Sequence, residues 1–248
     1  MEDKTSQVCR PLGVMVATPV DNRAGRTCAS TLADKEVATL DSYTTPILTA
    51  RETARYLSMP ESTLDRWLVA DAALVHSVVP ARRGGPRIPF VGVVEAHVLR
   101  ALRQLGLSMF DIRVAALRAR EALHDDYALA SQRIATDGVS LFLKLADDNV
   151  IHAATGQLAM REVLDDSLRY IQWDRDGRAQ TLRLKDFPAS ADVIIDPRFG
   201  WGAPVLGRSK VRVSDVVDLW RAGEPITAVA AEYGLDVNVV EDVLRRAA

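Results

Sequence analysis

The residues best suited to chemistry are arginines and small hydroxyl side chains, and the chemistry they suit is recognition. The run Arg82-Arg83-Gly84-Gly85-Pro86-Arg87 places three guanidinium groups around a flexible tip. A guanidinium is a planar fork of donors matched to phosphate oxygens and base edges. The paired glycines let such a tip bend and bring its backbone close to a partner. A second set, Ser62, Thr63 and Arg66, lies three to four residues apart within Glu61–Leu68. That spacing puts them along one exposed edge of a helix whose other face is Leu64, Trp67 and Leu68. Phosphate contacts position a protein on nucleic acid, and base contacts specify the sequence. The tip arginines are therefore expected to supply affinity, and Ser62, Thr63 and Arg66 readout. Thr49 and Arg51, where the preceding helix begins, complete the expected DNA-facing set.

Catalytic and metal-binding patterns are missing from the 248 residues. His76, His97, His124 and His152 lack ligand spacing, and no H-E-x-x-H, C-x-x-C or nucleophile elbow occurs. Gly200-Trp201-Gly202 lacks the third glycine of a dinucleotide loop. The pairs Asp125-Asp126, Asp147-Asp148 and Asp165-Asp166 are adjacent in sequence, so their side chains diverge on a helix or strand. The expectation is a protein that is not an enzyme, with no catalytic residues, no cofactor and no metal.

These residues must be positioned by an ordered scaffold, and the composition supplies one. The chain is 48% hydrophobic and 26% charged, with a net charge of −2, which excludes a disordered polymer. Cys9 and Cys28 cannot staple a secreted scaffold. No apolar run suits a membrane helix and no signal-like segment opens the chain, so a cytoplasmic location without membrane contact is expected. The length suggests more than one domain. Charge is unevenly spread. Residues 46–123 carry 11 arginines, no lysine and 7 acids, whereas residues 124–248 carry 15 bases and 20 acids.

Along the chain, residues 1–45 show neither helical nor alternating periodicity and read as a disordered extension, within which Met15 offers an alternative start. Thr49 with Glu52 forms the pattern of a capping box, and Ala50, Ala54 and Leu57 share a helical face. With Glu61–Leu68 this makes a helix-turn-helix. Val75–Val79 and Ile88-Pro89-Phe90, flanking the arginine tip, read as a hairpin wing. Val91, Val94, Val98, Leu102 and Leu105 then mark a long helix, and Ser108 caps another with Ile112, Ala115, Ala116, Ala119 and Leu123 inward. Residues 124–190 read as a middle α+β segment. Its hairpins are Ser140–Leu145 with Val150–Ala153 and Gln172–Trp173 with Ala179–Leu184, and its helix is Met160–Leu168. Residues 191–248 open on the strand Val193–Ile195. Three helices follow, over Ser214–Ala222, Pro225–Tyr233 and the stretch after Asp236, the last with Val237, Val240 and Leu244 facing one way. The expected fold class is mainly α with small β elements (α+β). It comprises a winged helix-turn-helix at 46–123, the middle segment, and a C-terminal three-helix unit.

Two stretches carry a resemblance. Leu48-Thr49-Ala50-Arg51-Glu52-Thr53-Ala54-Arg55-Tyr56-Leu57, followed by Ser62-Thr63-Leu64-Asp65-Arg66-Trp67, resembles the winged helix-turn-helix of MerR-type and excisionase-type proteins. This chain has Ser58 where that family has glycine, Pro60 in place of a polar cap, and Asp65 in place of a basic residue. Gly202-Ala203-Pro204-Val205-Leu206, Ser209-Lys210-Val211-Arg212-Val213 and Tyr233-Gly234-Leu235 resemble the bacterial domain of unknown function 433, with Gly207-Arg208 departing from its usual order. Together they make residues 46–248 similar to large VapB-family antitoxins of type II toxin–antitoxin pairs. The resemblance implies two tasks: neutralising a PIN-like, VapC-type ribonuclease toxin, and binding operator DNA to repress the shared operon. The acidic second half suits a basic toxin surface. Arg208, Arg212, Arg221, Arg245 and Arg246 are available to reach an acidic pocket. A homodimer is expected because operator half-sites mirror a protein twofold. A MerR-like transcriptional regulator without a toxin partner is the alternative.

Overall fold

The computed structural model describes residues 41–69, 73–104, 106, 108–134 and 162–247. All lie in one compact unit, Val37–Ala248. Strand β1 (Pro46–Leu48) leads into helix α1 (Ala50–Tyr56), a tight turn and helix α2 (Glu61–Leu68). A loop returns to strand β2 (Ile88–Pro89), which runs directly into helix α3 (Phe90–Gln104). Helix α4 (Met109–Leu123) follows, capped by the Ser108 hydroxyl on the Asp111 amide. Its inward residues are Ile112, Ala115, Ala116, Ala119 and Leu123, the face that the helical period picks out.

The second half begins with helix α5 (residues 162–168). Strands β3 (Ile171–Trp173), β4 (Ala179–Arg183), β5 (Val193–Ile195) and β6 (Val205–Leu206) form an antiparallel sheet in sequential order. The β3–β4 hairpin turns through Asp174–Gly177, with Gly177 at φ 72°. Helices α6 (Val213–Arg221), α7 (Ile226–Tyr233) and α8 (Val237–Ala247) close the chain, and α7 stops at Gly234 in the left-handed conformation. The molecule is mainly α with small β elements.

Four differences from the sequence reading have physical causes. Residues 41–45, expected within a disordered extension, form a turn here. The Ser42 carbonyl accepts the Val91 amide, and Tyr43 stacks edge-on against Tyr127 at 4.6 Å. The rest of that extension lies outside the described residues. The partner of β2 is β1, not Val75–Val79. The Arg87 amide donates to Leu48 O, and the Val78 amide of the loop donates to Arg87 O. The β4–β5 pairing, Leu182 to Ile195 and Arg183 to Ile194, carries the sheet across the division expected at 190–191. Hydrophobic periodicity locates each strand but does not say which strand pairs with which. Finally, Val237 is 38% exposed, while Val240 and Leu244 are buried. The hairpin expected over Ser140–Leu145 and Val150–Ala153 lies outside the described residues.

One buried cluster runs from Ile47 and Leu48 through Val93, Leu99 and Leu182 to Val240 and Leu244. Close approach of backbone fixes two joints in it. A Cβ on Gly92 of α3 would come within 2.3 Å of the His76 carbonyl, so only glycine lets the α2–β2 loop lie on that helix. A Cβ on Gly202 (φ +78°) would come within 2.5 Å of Ile47 Cβ, so the Gly200–Gly202 turn seats β1 from the other side.

Candidate nucleic-acid interface

The helix-turn-helix is built as its sequence dictates. Thr49 accepts the Glu52 amide at 3.1 Å, and the Glu52 carboxylate accepts both the Thr49 amide at 2.9 Å and its hydroxyl at 2.8 Å. The Thr49 side chain, expected to face DNA, is thus committed to the capping box; Arg51 on the same turn is exposed. The turn between the helices closes with the Met59 amide on Ala54 O and Ser58 at φ 47°, a left-handed conformation that glycine adopts most easily. Leu64, Trp67 and Leu68 are buried, and the Trp67 indole N–H meets Met109 Sδ at 3.4 Å, fastening α2 to the first turn of α4. Ser62 and Arg66 are exposed on the opposite side and Thr63 and Asp65 are half-buried. The Arg66 Nε donates to Ser62 O at 3.3 Å, which holds the guanidinium along the helix edge.

The arginine tip is a loop rather than a regular hairpin. The Gly85 amide donates to Arg82 O at 2.9 Å, and Gly84 takes φ +73°. Arg82 and Arg83 are exposed; Arg87 is half-buried, with its Nε enclosed and lacking a hydrogen-bond partner among the described residues. The base of the loop is fixed by the fully buried Glu95 of α3. Its carboxylate accepts the His76 amide at 2.7 Å, contacts His76 Nδ1 at 2.7 Å and meets Arg120 at 3.4 Å. Arg120 also donates to the carbonyls of Ala73 and Leu74. Nothing in the sequence pairs Glu95 with Arg120, because the two belong to different helices and the loop between them in space is sequence-remote from both.

Two further arginines belong to this surface and were missed from sequence. Arg103 of α3 and Arg113 of α4 join Arg66 and Thr63 around a cavity of about 230 Å³ floored by Trp67 and Met109. Among the described residues no carboxylate lines it. Arg113 Nε is enclosed without a hydrogen-bond partner among the described residues. Their chain positions gave no warning, since only packing of α3 and α4 on α2 gathers them.

Several of the groups weighed for catalysis are otherwise engaged. Asp166 pairs with Arg169 at 2.7 Å and Lys185 at 3.0 Å; its hydrogen bond from Lys185 holds its carboxyl below the ordinary range. Asp125 caps the Tyr127 amide, and His124 ends α4 at φ 49°. His97 contacts Ser167 O and Oγ, both at 3.0 Å. Asp147-Asp148 and His152 lie outside the described residues. Among the described residues no group of three or more His, Cys, Asp or Glu can hold a metal ion, and no helix is long and apolar enough to cross a membrane. Of the five C-terminal arginines, Arg212 pairs with Asp215, Arg245 with Asp242, and Arg246 with Asp186 and the Ser58 hydroxyl. Arg208 and Arg221 are exposed and without an ion pair among the described residues.

Fold and surface together define a helix-turn-helix DNA-binding protein carrying an appended α+β module. Residues 46–116 match the family described as "Putative DNA-binding HTH domain", and residues 193–245 match the protein family of unknown function DUF433. A Mycobacterium tuberculosis protein named "Putative antitoxin VapB45" is 34% identical over 228 residues, which is 82% of this chain and 94% of that relative. The crystal structure of Rv2018 from Mycobacterium tuberculosis superposes with a TM-score of 0.72 at 31% identity, covering 82% of this chain and 100% of the other. The chain belongs to the VapB family of antitoxins.

Proposed function

We propose that this protein neutralises a PIN-like, VapC-type ribonuclease by binding it, and represses the operon encoding both by binding operator DNA as a homodimer, with no catalysis of its own. The observation that carries the DNA half is the coexistence of an open α2 edge, Ser62 and Arg66, with the exposed Arg82 and Arg83 on a loop anchored at its base. A buried helix face holds the reading edge at a fixed angle, as major-groove insertion requires. The toxin half is supported by similarity to an antitoxin over 82% of the chain. It is also supported by the 20 acids against 15 bases of residues 124–248, which favour encounter with a basic, RNA-binding surface. Arg208 and Arg221 have guanidinium groups free to pair with carboxylates on such a partner. A cytoplasmic site of action follows from that pairing of tasks.

The test is co-expression with the product of the neighbouring open reading frame, purification of any complex, and assay of its ribonuclease activity with and without this chain. In parallel, Arg66→Ala with Arg82→Ala is expected to weaken binding to the upstream DNA fragment while toxin inhibition persists. Equal loss of both activities would refute the division of labour. DNA binding with no complex would leave a regulator without a toxin.

A further inference from the structure

Helix α4 buries one face and carries apolar residues on the opposite one. Ile112, Ala115, Ala116, Ala119 and Leu123 point into the core. On a helix of about 3.6 residues per turn, Phe110, Val114, Leu117 and Glu121 fall together on the far side. Phe110 is 74% exposed and Leu117 39%, and Val114 between them is half-buried. Single apolar side chains on a surface need no explanation, but a stripe of them on one helix face marks a contact surface.

The charges bordering the stripe say what fits it. Met109 and Arg113, on one flank, face α2. Asp111 and Arg118 lie on the other flank, an acid near the start of α4 and a base two turns later. Asp111 accepts the Ser108 hydroxyl on one carboxylate oxygen, at 2.5 Å. Arg118 is exposed and has no ion pair among the described residues. A flank with opposite charges at its two ends is complementary to its own reversed copy.

We infer that the Phe110–Val114–Leu117 face of α4 is the homodimer interface, covered by the same face of a second copy running antiparallel. The inference rests on the reading of the protein as a dimeric DNA binder and gives that dimer its surface. The twofold sets Asp111 of each copy against Arg118 of the other and packs Val114 against Leu117. The Trp67 indole is fastened to Met109 at the start of α4, so the pairing also fixes the separation of the two α2 helices, as paired half-sites require. The stripe is short and the contact small, so the free dimer dissociates on dilution, whereas two half-sites on one duplex hold both copies together.

The experiment follows the mass of the full-length chain by sedimentation over a concentration series, free and on a duplex from the region upstream of its gene. The wild type is expected to pass from monomer to dimer when free, and to load the duplex as two copies. Phe110→Ser with Leu117→Ser should stay monomeric when free at every concentration, with an unchanged urea midpoint in dilute solution. Arg118→Asp should raise the dissociation constant of the dimer by about tenfold or more, because acid then meets acid. Orientation is read with a short thiol cross-linker in a Cys9→Ser, Cys28→Ser background. Val114→Cys should cross-link to itself, and Phe110→Cys should cross-link to Glu121→Cys but not to itself. If the serine double variant dimerises like the wild type, the inference is overturned and the dimeric reading stands on another surface. Self-cross-linking of Phe110→Cys would mark a parallel pair and overturn it equally. A wild type present as one copy both free and on the duplex would remove the interface and the dimeric reading together.

Discussion

Acidification is expected to destabilise this protein through a single histidine, and the size of the effect follows from its surroundings. His97 sits on α3 and is 4% exposed. Its Nε2 lies 3.0 Å from Ser167 O, Tyr170 meets the ring edge-on at 6.4 Å, and Arg100 and Lys185 are near enough to oppose a second proton. Burial is the largest cause, and it lowers the pKa from 6.5 to about 4. The unfolded chain therefore binds a proton near 6.5 that the folded chain refuses until about 4. The stability contributed by neutral His97 is whole above the unfolded value and is lost as pH falls through that window. At about 1.4 kcal/mol per pH unit, the gap is worth about 3 kcal/mol, a large share of the ~5–15 kcal/mol typical of a domain. His97→Gln keeps an amide donor for Ser167 O and removes the titration. Urea melts of wild type and variant at steps between pH 7.5 and 4 isolate the term, since carboxylates such as Asp166 titrate in both. The difference in unfolding free energy should change by roughly 1 kcal/mol or more per pH unit between 6 and 4.5. Curves that stay parallel within about 0.5 kcal/mol would refute the argument.

Two further outcomes test joints of the scaffold. Gly202→Ala must place a methyl group against Ile47 at a backbone φ of +78°, and is expected to cost about 3 kcal/mol in thermal or urea unfolding. Glu95→Ala removes the acceptor for the His76 amide and the partner of Arg120 inside the core. It should cost about 3 kcal/mol, and under conditions where the variant is still folded it should weaken DNA binding in a gel-shift assay, because the Arg82–Arg83 loop loses its base.

Local elements were legible where short-range signals sufficed. The Thr49–Glu52 box, the Ser108 cap and the inward face of α4 are properties of neighbours along the chain, and the structure shows each of them. The turn at Asp174–Gly177 was readable for the same reason. What escaped were decisions made by sequence-distant partners. β2 could pair with any adjacent extended segment, and β1 takes it because Pro46–Leu48 emerges from a turn held by the Ser42 carbonyl on the Val91 amide. Thr49 was assigned to DNA and to the cap at once, and the cap uses its hydroxyl. Arg103 and Arg113 were counted only as part of a basic segment, because a set of charges drawn from three helices has no period to detect.

The sheet crossing residues 190 and 191 also changes how the two halves should be separated by experiment. Deleting residues 193–248 looks like removal of a module, but it strips β5 from β4 and leaves the Leu184 amide, which donates to Val193 O, without its acceptor at a new edge. It removes Gly202 from Ile47, and so unseats β1, the strand from which the helix-turn-helix hangs. It also takes away Arg246, which bonds the Ser58 hydroxyl in the turn between α1 and α2 and pairs with Asp186 at 3.0 Å. Loss of DNA binding in such a truncation would report damage to the scaffold rather than a role for the C-terminal helices in recognition. Exposed side chains that touch neither joint, Arg208 and Arg221 on one half and Arg82 and Arg83 on the other, are the substitutions that can separate the two proposed tasks while leaving the shared core intact.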